Sequence, residues 1–326
     1  MVRILKLPRL AGTLAFVLIA ACIQTMPSAT SAGSAHRIVV PNLARPLVET
    51  NPGPAEPSDE VKKAVFARIN RDRARHALGP VAWDAAASRV SDAFCEQQVK
   101  ERSHGHYLMD GLPPYARTAF AGIFGLGSEN SVSWVSTGMQ IEKNLVWFAL
   151  SGHEKMMAER PPRDGHRRAI LDPDATHVGV GYFAQDGRMQ MSQEFLVHRL
   201  ERLSLSSNSD RLAVLTVEGR VLAPDKILFV TIAREPRPAP LTQKETSART
   251  SYSYPDPAEA FVPEGNHRLT VVGTVTLDRL RLRNDREFSF VYAPADAGLF
   301  TFVFYVAPPD GDKKVKQGGS ATVLVE

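Results

Sequence analysis

The spacing of apolar residues along this chain changes from a helical period to a strand period. Between Val61 and Ile69 the apolar side chains recur at the spacing of helical turns. The preceding Ser58-Asp59-Glu60 is typical of a helix start, because a short polar side chain caps the free N–H groups there. We therefore predict a helix from about residue 59 to the turn at Gly79-Pro80.

Further helices and two strands follow this first helix. A second helix is predicted over 84–101, where small and apolar residues share one face, and a third over 139–158. Two strands are predicted at 178–183 and 188–197, joined by a turn. Helices that precede strands in this way favour an α+β fold over a repeated βαβ pattern.

The chain beyond about residue 202 has the pattern of short strands separated by turns. In 269–277 the apolar residues alternate with threonines, which gives the strand one apolar and one polar face. These runs predict an all-β sandwich of immunoglobulin-like type over residues 202–326. The predicted strands lie at 212–217, 227–232, 269–277, 288–292, 299–306 and 321–325.

The N-terminal residues have the pattern of an export signal. Three basic residues, Arg3, Lys6 and Arg9, precede an apolar run at 10–21. This run is too short to span a bilayer, which takes about 20 residues of helix, and no later segment is apolar enough. We predict a signal peptide at 1–22 and an exported protein without a transmembrane helix.

The sequence around Cys22 is compatible with two kinds of export, as a lipoprotein or as a freely secreted protein. The residues before it resemble a bacterial lipoprotein cleavage box, in which the cysteine becomes the lipidated first residue. The alternative is ordinary cleavage, for example after Ala32, so the protein is either anchored to the outer face of a bacterial membrane or secreted. Residues 23–57 are rich in proline and small residues, which predicts a disordered tether. Cys95 is predicted to be a buried free thiol.

The charge of the chain argues against nucleic acid as a partner. The net charge is +4, but the three basic residues of the export signal supply most of it. Nucleic-acid binding needs a basic tract with interleaved aromatic residues, and the sequence contains none.

Five motifs occur in one order between residues 59 and 198. They are Asn70 and Arg73 with Leu78-Gly79-Pro80-Val81 and Trp83-Asp84, His106 to Gly111 with Arg117, Ser128-Glu129-Asn130, Gly165-His166-Arg167, and Val178-Gly179-Val180-Gly181. Together they resemble the CAP superfamily, also called SCP-like, which includes cysteine-rich secretory proteins, antigen 5 and plant pathogenesis-related proteins. Ser128 departs from the glycine usual in the third motif. The resemblance implies an α-β-α sandwich domain at 58–200.

The resemblance also implies a cavity lined by two histidines and two glutamates. The residues that match are His106, Glu129 and His166, with Glu154 chosen as the second glutamate. His104 competes with His106, and the spacing to the glycine of the motif favours His106.

Two imidazoles and a carboxylate suit more than one use. Zinc takes these ligands and leaves a fourth position for water or substrate, so His106, Glu129 and His166 are the predicted metal set. The same groups could transfer protons, because histidine titrates near neutrality. A purely structural alternative is that Glu129 and Asn130 tie loops together while the histidines line a polar groove.

We therefore expect an exported CAP protein that binds a small ligand or a divalent cation such as zinc in this cavity, at the cell envelope or outside the cell. The expected partner is a small molecule, a lipid or an envelope component. One alternative is a metal-dependent or acid–base hydrolase. Another is a structural or adhesive envelope protein that acts through its β-sandwich.

Two other segments have patterns that could indicate a function. Residues 234–263 form a proline-rich loop whose aromatics are Tyr252, Tyr254 and Phe261. We expect these to fold back on the sandwich, with an exposed adhesive surface as the alternative. His153 begins a metalloprotease-like motif, but Met157 stands where the second histidine must be.

Overall fold

The computed structural model describes residues 38–39, 56–208, 214–263, 276–308 and 315–326. Cys22 and the predicted signal peptide lie outside these residues. Helices and strands are both abundant in the described part, so the predicted α+β class is confirmed. None of the described helices is long and apolar enough to cross a membrane.

The described helices are α1 Glu60–Arg75, α2 Ala85–Glu101, α3 Pro114–Phe120, α4 Leu145–Ala158, α5 Gly165–Ile170 and α6 Gln243–Ala248. The described strands are β1 Ile38–Val39, β2 Ala82–Trp83, β3 Leu126–Val135, β4 His177–Gln185, β5 Arg188–Leu196, β6 Leu200–Asn208, β7 Val214–Val221, β8 Lys226–Glu235, β9 Pro257–Pro263, β10 Thr276–Leu282, β11 Glu287–Tyr292, β12 Gly298–Ala307 and β13 Lys316–Val325.

The ends of the first helices follow the local sequence. The Asp59 side chain accepts a hydrogen bond from the backbone N–H of Lys62 and so caps α1. Asp84 caps α2 in the same way, through the N–H of Ala87. The third predicted helix begins as a 3₁₀ turn at Ile141–Lys143 before α4.

A four-stranded sheet with the order β2-β4-β5-β3 carries helices on both faces. Side chains alternate along β4, so Val178 and Val180 point to one face, where they pack with residues of α1 and α4. Gly179 and Gly181 point to the other face. A Cβ added to Gly181 would lie 2.3 Å from the backbone carbon of Ser91, so only glycine lets α2 approach so closely. This is the α-β-α arrangement that the family resemblance implies.

The remaining strands form a nine-stranded sheet in the order β1-β13-β12-β8-β9-β10-β11-β7-β6. β11 and β12 are far apart in this order, yet their aromatic rings meet. Phe288 lies 5.5 Å from Phe304, and Phe290 lies 6.0 Å from Phe302, between ring centroids. The sheet therefore folds over itself around a common core, which agrees with the predicted β-sandwich. The sequence pattern does not predict β6 or β9.

One part of the predicted tether belongs to this sheet. Ile38 and Val39 form β1 and pair with Val325 and Leu324 of β13. The prediction that residues 23–57 lack structure is therefore wrong at these two positions, because the last strand of the sheet offers them free backbone partners. Nearly all other residues of the predicted tether lie outside the described ranges.

Arg73 holds the first helix to the loop before β4. Its side chain is buried, and its guanidinium donates to the carbonyls of Gly79 at 2.9 Å, Ile170 at 2.9 Å and Asp172 at 2.8 Å. One guanidinium therefore satisfies several carbonyls that have little access to water.

We predict that Arg73→Ala destabilises the protein by roughly 3 kcal/mol, because it leaves buried carbonyls without donors. Urea unfolding followed by circular dichroism measures the loss. Arg71→Ala, on the exposed side of α1, is the matched control and should change little. Equal stability of the two variants would contradict this role for Arg73.

Candidate functional site

The candidate site is built around β3, which is an edge strand of the four-stranded sheet. Successive residues of a strand point to opposite faces, so Glu129 faces the side of α2 and Asn130 faces the side of α5. The Asn130 amide donates to the backbone carbonyl of His166 at 3.1 Å. Groups from both faces of the sheet can meet here because no further strand covers the edge.

His106 lies in the loop between α2 and α3 and is only 6% exposed. Its Nδ1 is 2.7 Å from Oε1 of Glu129, which is 3% exposed. His104, two residues earlier, is exposed. The structure therefore brings His106 rather than His104 against Glu129.

Arg117 supplies the positive charge next to this pair. From α3 its guanidinium donates to Oε2 of Glu129 and, at 3.1 Å, to the backbone carbonyl of His106. The guanidinium carbon stands 3.8 Å above the ring of Phe94, an attractive arrangement for a cation. Both oxygens of Glu129 are thus engaged, one by His106 and one by Arg117.

Glu194 is a member of the site that the sequence analysis misses. It lies on β5 directly opposite Glu129 and has no exposed surface. Two carboxylates opposite one another repel if both are charged. Burial and the charge of Glu129 raise the pKa of Glu194 well above its usual value, which favours the protonated form of Glu194 beside Glu129. The signal available in the sequence was that Glu194 lies in a predicted strand that also contains the core residues Met189 and Phe195.

Burial also changes the protonation of Glu129 and His106. Removal from water raises the pKa of Glu129, and the charge of Arg117 opposes this rise. For His106, burial first and the charge of Arg117 second lower the pKa to about 4. The imidazole is therefore neutral at physiological pH. With Nδ1–H donated to Glu129, Nε2 is left as the unprotonated nitrogen.

His166 lies at the start of α5 and forms a second, more exposed pair. Its Nδ1 is 2.5 Å from Oε1 of Glu159, and its backbone N–H donates to Oε2 of the same residue at 3.0 Å. The side chains are 33% and 25% exposed. The ring centroid of His166 is 6.5 Å from that of His106, so the two predicted histidines are neighbours.

The choice of Glu154 as the second glutamate is corrected by this geometry. Glu154 is exposed on α4 and forms an ion pair with Arg68 at 2.8 Å. The glutamate beside His166 is Glu159, just after the end of α4, where the chain turns back toward the site. Glu154 lies on an outer face of α4. The sequence alone does not show where α4 ends, and so it does not show that Glu159 is the glutamate that reaches the site.

Tyr252 reaches the site from the C-terminal half of the chain. Its ring makes an edge contact with His106 at 4.9 Å between centroids, and its hydroxyl accepts the backbone N–H of Glu129. Tyr254 stacks on Tyr115 at 4.7 Å. The prediction that these tyrosines fold back on the sandwich holds in part for Tyr254, whose hydroxyl is 3.0 Å from that of Ser320 in β13, whereas Tyr252 lies at the edge of β3. Phe261 does pack in the sandwich core.

Other residues singled out by sequence have structural contacts. His153 is buried, with Nε2 3.1 Å from Asp72, and belongs to a polar network between α1 and α4. Cys95 is a buried free thiol, as predicted, and burial raises its pKa well above the usual value. Neither group lies on an open surface.

A metal set of His106, Glu129 and His166 does not fit this arrangement. Each oxygen of Glu129 already accepts a hydrogen bond, one from His106 and one from Arg117, and the guanidinium charge of Arg117 would repel a cation bound there. Among the residues that the structure describes, no cluster of three or more His, Cys, Asp or Glu side chains is arranged to hold a metal ion. The two histidines can be considered as ligands without Glu129, because the hydrogen bonds to the glutamates engage only Nδ1 of each ring and leave Nε2 available.

Comparison with known proteins concerns the first folded half of the chain. Residues 66–197 match the family described as CAP, the cysteine-rich secretory protein family. We find no match among curated proteins. One similar solved structure is an extracellular protein containing a SCP domain from Bacillus anthracis strain Ames, with 18% identity, a TM-score of 0.32, and 44% of each chain covered.

Two other solved structures are similar over the same share of this chain. An outer surface protein from Borrelia burgdorferi is 15% identical with a TM-score of 0.32, and the match covers 44% of this chain and 97% of that one. The protein Na-ASP-1 is 15% identical with a TM-score of 0.30, over 45% of this chain and 39% of the other. This chain therefore matches less than half the length of the first and third structures.

We predict that Glu194→Gln stabilises the protein at pH 8 by at least about 1 kcal/mol. In the folded state Glu194 keeps its proton above pH 4.5, the ordinary pKa of a glutamate side chain, whereas the unfolded state releases the proton there. The stability of the wild type therefore falls as the pH rises above 4.5. Glutamine cannot ionise and should flatten that fall. Urea unfolding at pH 4.5 and pH 8 measures the difference.

The matched control is Glu218→Gln, because Glu218 is an exposed strand glutamate of β7. This variant should follow the wild type at both pH values. If Glu194→Gln is less stable than the wild type by the same amount at pH 4.5 and at pH 8, Glu194 is not held in its protonated form.

Proposed function

Since residues 66–197 are a domain of the cysteine-rich secretory protein family, we propose that this protein is exported and binds a divalent cation between His106 and His166. Zinc is the first candidate. The observation that carries the proposal is that each histidine has its Nδ1 held by a glutamate. In the described part of the chain, neither Nε2 has a hydrogen-bond partner.

This pairing is the arrangement that metal-binding histidines use. A ligating imidazole normally donates its other ring nitrogen to a carboxylate, which fixes the tautomer and the orientation of the ring. Glu129 and Glu159 take this supporting position, and the predicted role of Glu129 as a direct ligand is replaced. Zinc binds the neutral imidazole, and His106 is neutral because its pKa is lowered to about 4.

The two rings are neighbours, but a shared ion needs them closer. With Zn–N bonds of about 2.0 to 2.1 Å and tetrahedral geometry, two ligating imidazole rings have centroids about 5.2 Å apart. The observed 6.5 Å therefore requires an inward movement of about 1 Å. His166 can make it, because it is one-third exposed and lies in a short helix.

A cation held by two histidines keeps open positions. Structural zinc sites are closed by four protein ligands, whereas sites that act on a ligand leave a position for water or substrate. The remaining positions would be filled by water or by a donor atom of a small molecule or envelope component. The cation would then make the protein a binding protein for ligands with oxygen or nitrogen donors.

Export is supported by the N-terminal pattern and by the family. Basic residues followed by a short apolar run are typical of a signal peptide. Anchorage through a lipidated Cys22 at the outer face of a bacterial membrane would leave the folded part outside the cell, and so would free secretion. A Cys22→Ser variant that remains in the membrane fraction would contradict the lipid anchor.

We predict that the metal-free wild-type protein binds Zn²⁺ in a calorimetric titration and that His106→Ala or His166→Ala weakens this binding at least tenfold. Glu159→Gln should weaken it about tenfold, because loss of a supporting carboxylate typically costs about 10- to 100-fold in affinity. His104→Ala is the matched control, since His104 is exposed two residues from His106. Stoichiometric binding retained in a His106→Ala, His166→Ala double variant would refute the proposed site.

A further inference from the structure

The connection between β8 and β9 is much longer than its geometry requires. The two strands are antiparallel neighbours, with Val230 opposite Phe261. Such strands can be joined by about two to five residues. The chain instead inserts residues 236–256, which we call the strap. Connections longer than about 12 to 15 residues are uncommon in compact domains and are usually functional.

The strap lies mainly on the CAP domain, although the hydroxyl of Tyr254 is also 3.0 Å from that of Ser320 in β13 of the sandwich. No strap residue belongs to the described core of the sandwich. The Leu241 N–H donates to the carbonyl of Met109 at 2.8 Å, and the Gln243 side-chain amide donates to the carbonyl of Arg102 at 2.7 Å. These contacts engage main-chain groups of the loop that carries His106.

Gly111 permits this close approach. Its φ is +78°, a conformation that favours glycine. A Cβ at this position would lie 2.2 Å from the carbonyl oxygen of Ala239, so any larger residue would push the strap away. The loop is therefore shaped to receive an extended chain at this point.

The tyrosines of the strap engage the free edge of β3. Tyr252 and Tyr254 face the CAP domain, while Ser251 before them and Ser253 between them are exposed, which is the alternation of an extended strand. The hydroxyl of Tyr252 accepts the N–H of Glu129. The hydroxyl of Tyr254 donates to the carbonyl of Leu126 on the same edge.

We propose that the face of the CAP domain from Arg102 to Glu129 is a binding surface for an extended polypeptide with tyrosines two residues apart, and that the strap is its occupant within the same chain. Main-chain hydrogen bonds combined with alternate side chains in pockets are the recognition mode of an added strand. Most of the strap is exposed; Leu241 and Thr246 are its buried residues. The surface goes beyond the cation site and does not require it.

The first test replaces residues 237–255 by a two-residue Asn-Gly turn in the otherwise complete chain. A fluorescent peptide of residues 247–256 should then bind saturably to the strapless protein and not to the wild type. Alanine in place of both tyrosines of the peptide should weaken binding at least tenfold. Equal binding to the wild type, or no binding to a folded strapless protein, would overturn the proposal.

The second test decides the matter if the strapless protein does not fold. In a Tyr252→Ala, Tyr254→Ala variant of the full chain, the Glu129 amide should exchange hydrogen at least tenfold faster than in the wild type. The 247–256 peptide should restore slow exchange, and its alanine version should not. Tyr305→Phe, in the sandwich, is the control and should leave this amide unchanged.

An unchanged Glu129 amide in the double variant, or one that the peptide does not slow, would contradict the surface. Both tests are made in EDTA. Failure of the cation site would therefore leave their outcome intact, and failure here would leave the zinc titration intact.

Discussion

The contact between Arg117 and Glu129 is the interaction on which the rest of the site depends. A carboxylate buried beside a second carboxylate needs both a counter-charge and a shared proton, since an unpaired buried charge costs several kcal/mol. Arg117 supplies the charge and Glu194 the proton. This contact fixes α3 and the His106 loop against the edge of β3, because Arg117 also donates to the carbonyl of His106.

The same contact sets the chemistry of the histidine. With one oxygen held by Arg117, Glu129 presents the other to Nδ1 of His106, and burial keeps the imidazole neutral. Glu159 holds His166 in a similar way at a more exposed position. The result is one buried and one accessible imidazole side by side, oriented by carboxylates that do not themselves need to bind a ligand.

Local patterns predict much of the fold and part of the site. Asp59 and Asp84 mark the helix starts because capping is a local interaction, and the alternation in β4 shows which residues face each layer. Glu194, Glu159 and Tyr252 could not be assigned in this way. The core residues of β5 mark Glu194 as buried, but its role depends on strand register, which has no local signal. The roles of Glu159 and Tyr252 depend on the point where α4 ends and on a segment from the other half of the chain, which have none either.

The tautomer of His106 tests this account most directly. Long-range ¹H–¹⁵N NMR correlations of the histidine rings in the metal-free protein distinguish a protonated Nδ1 from a protonated Nε2. At pH 7 the account predicts a neutral His106 with the proton on Nδ1, because Glu129 accepts it, and an unprotonated Nε2. An Nε2–H tautomer or an imidazolium would contradict it, since neither leaves the nitrogen that the proposed site requires.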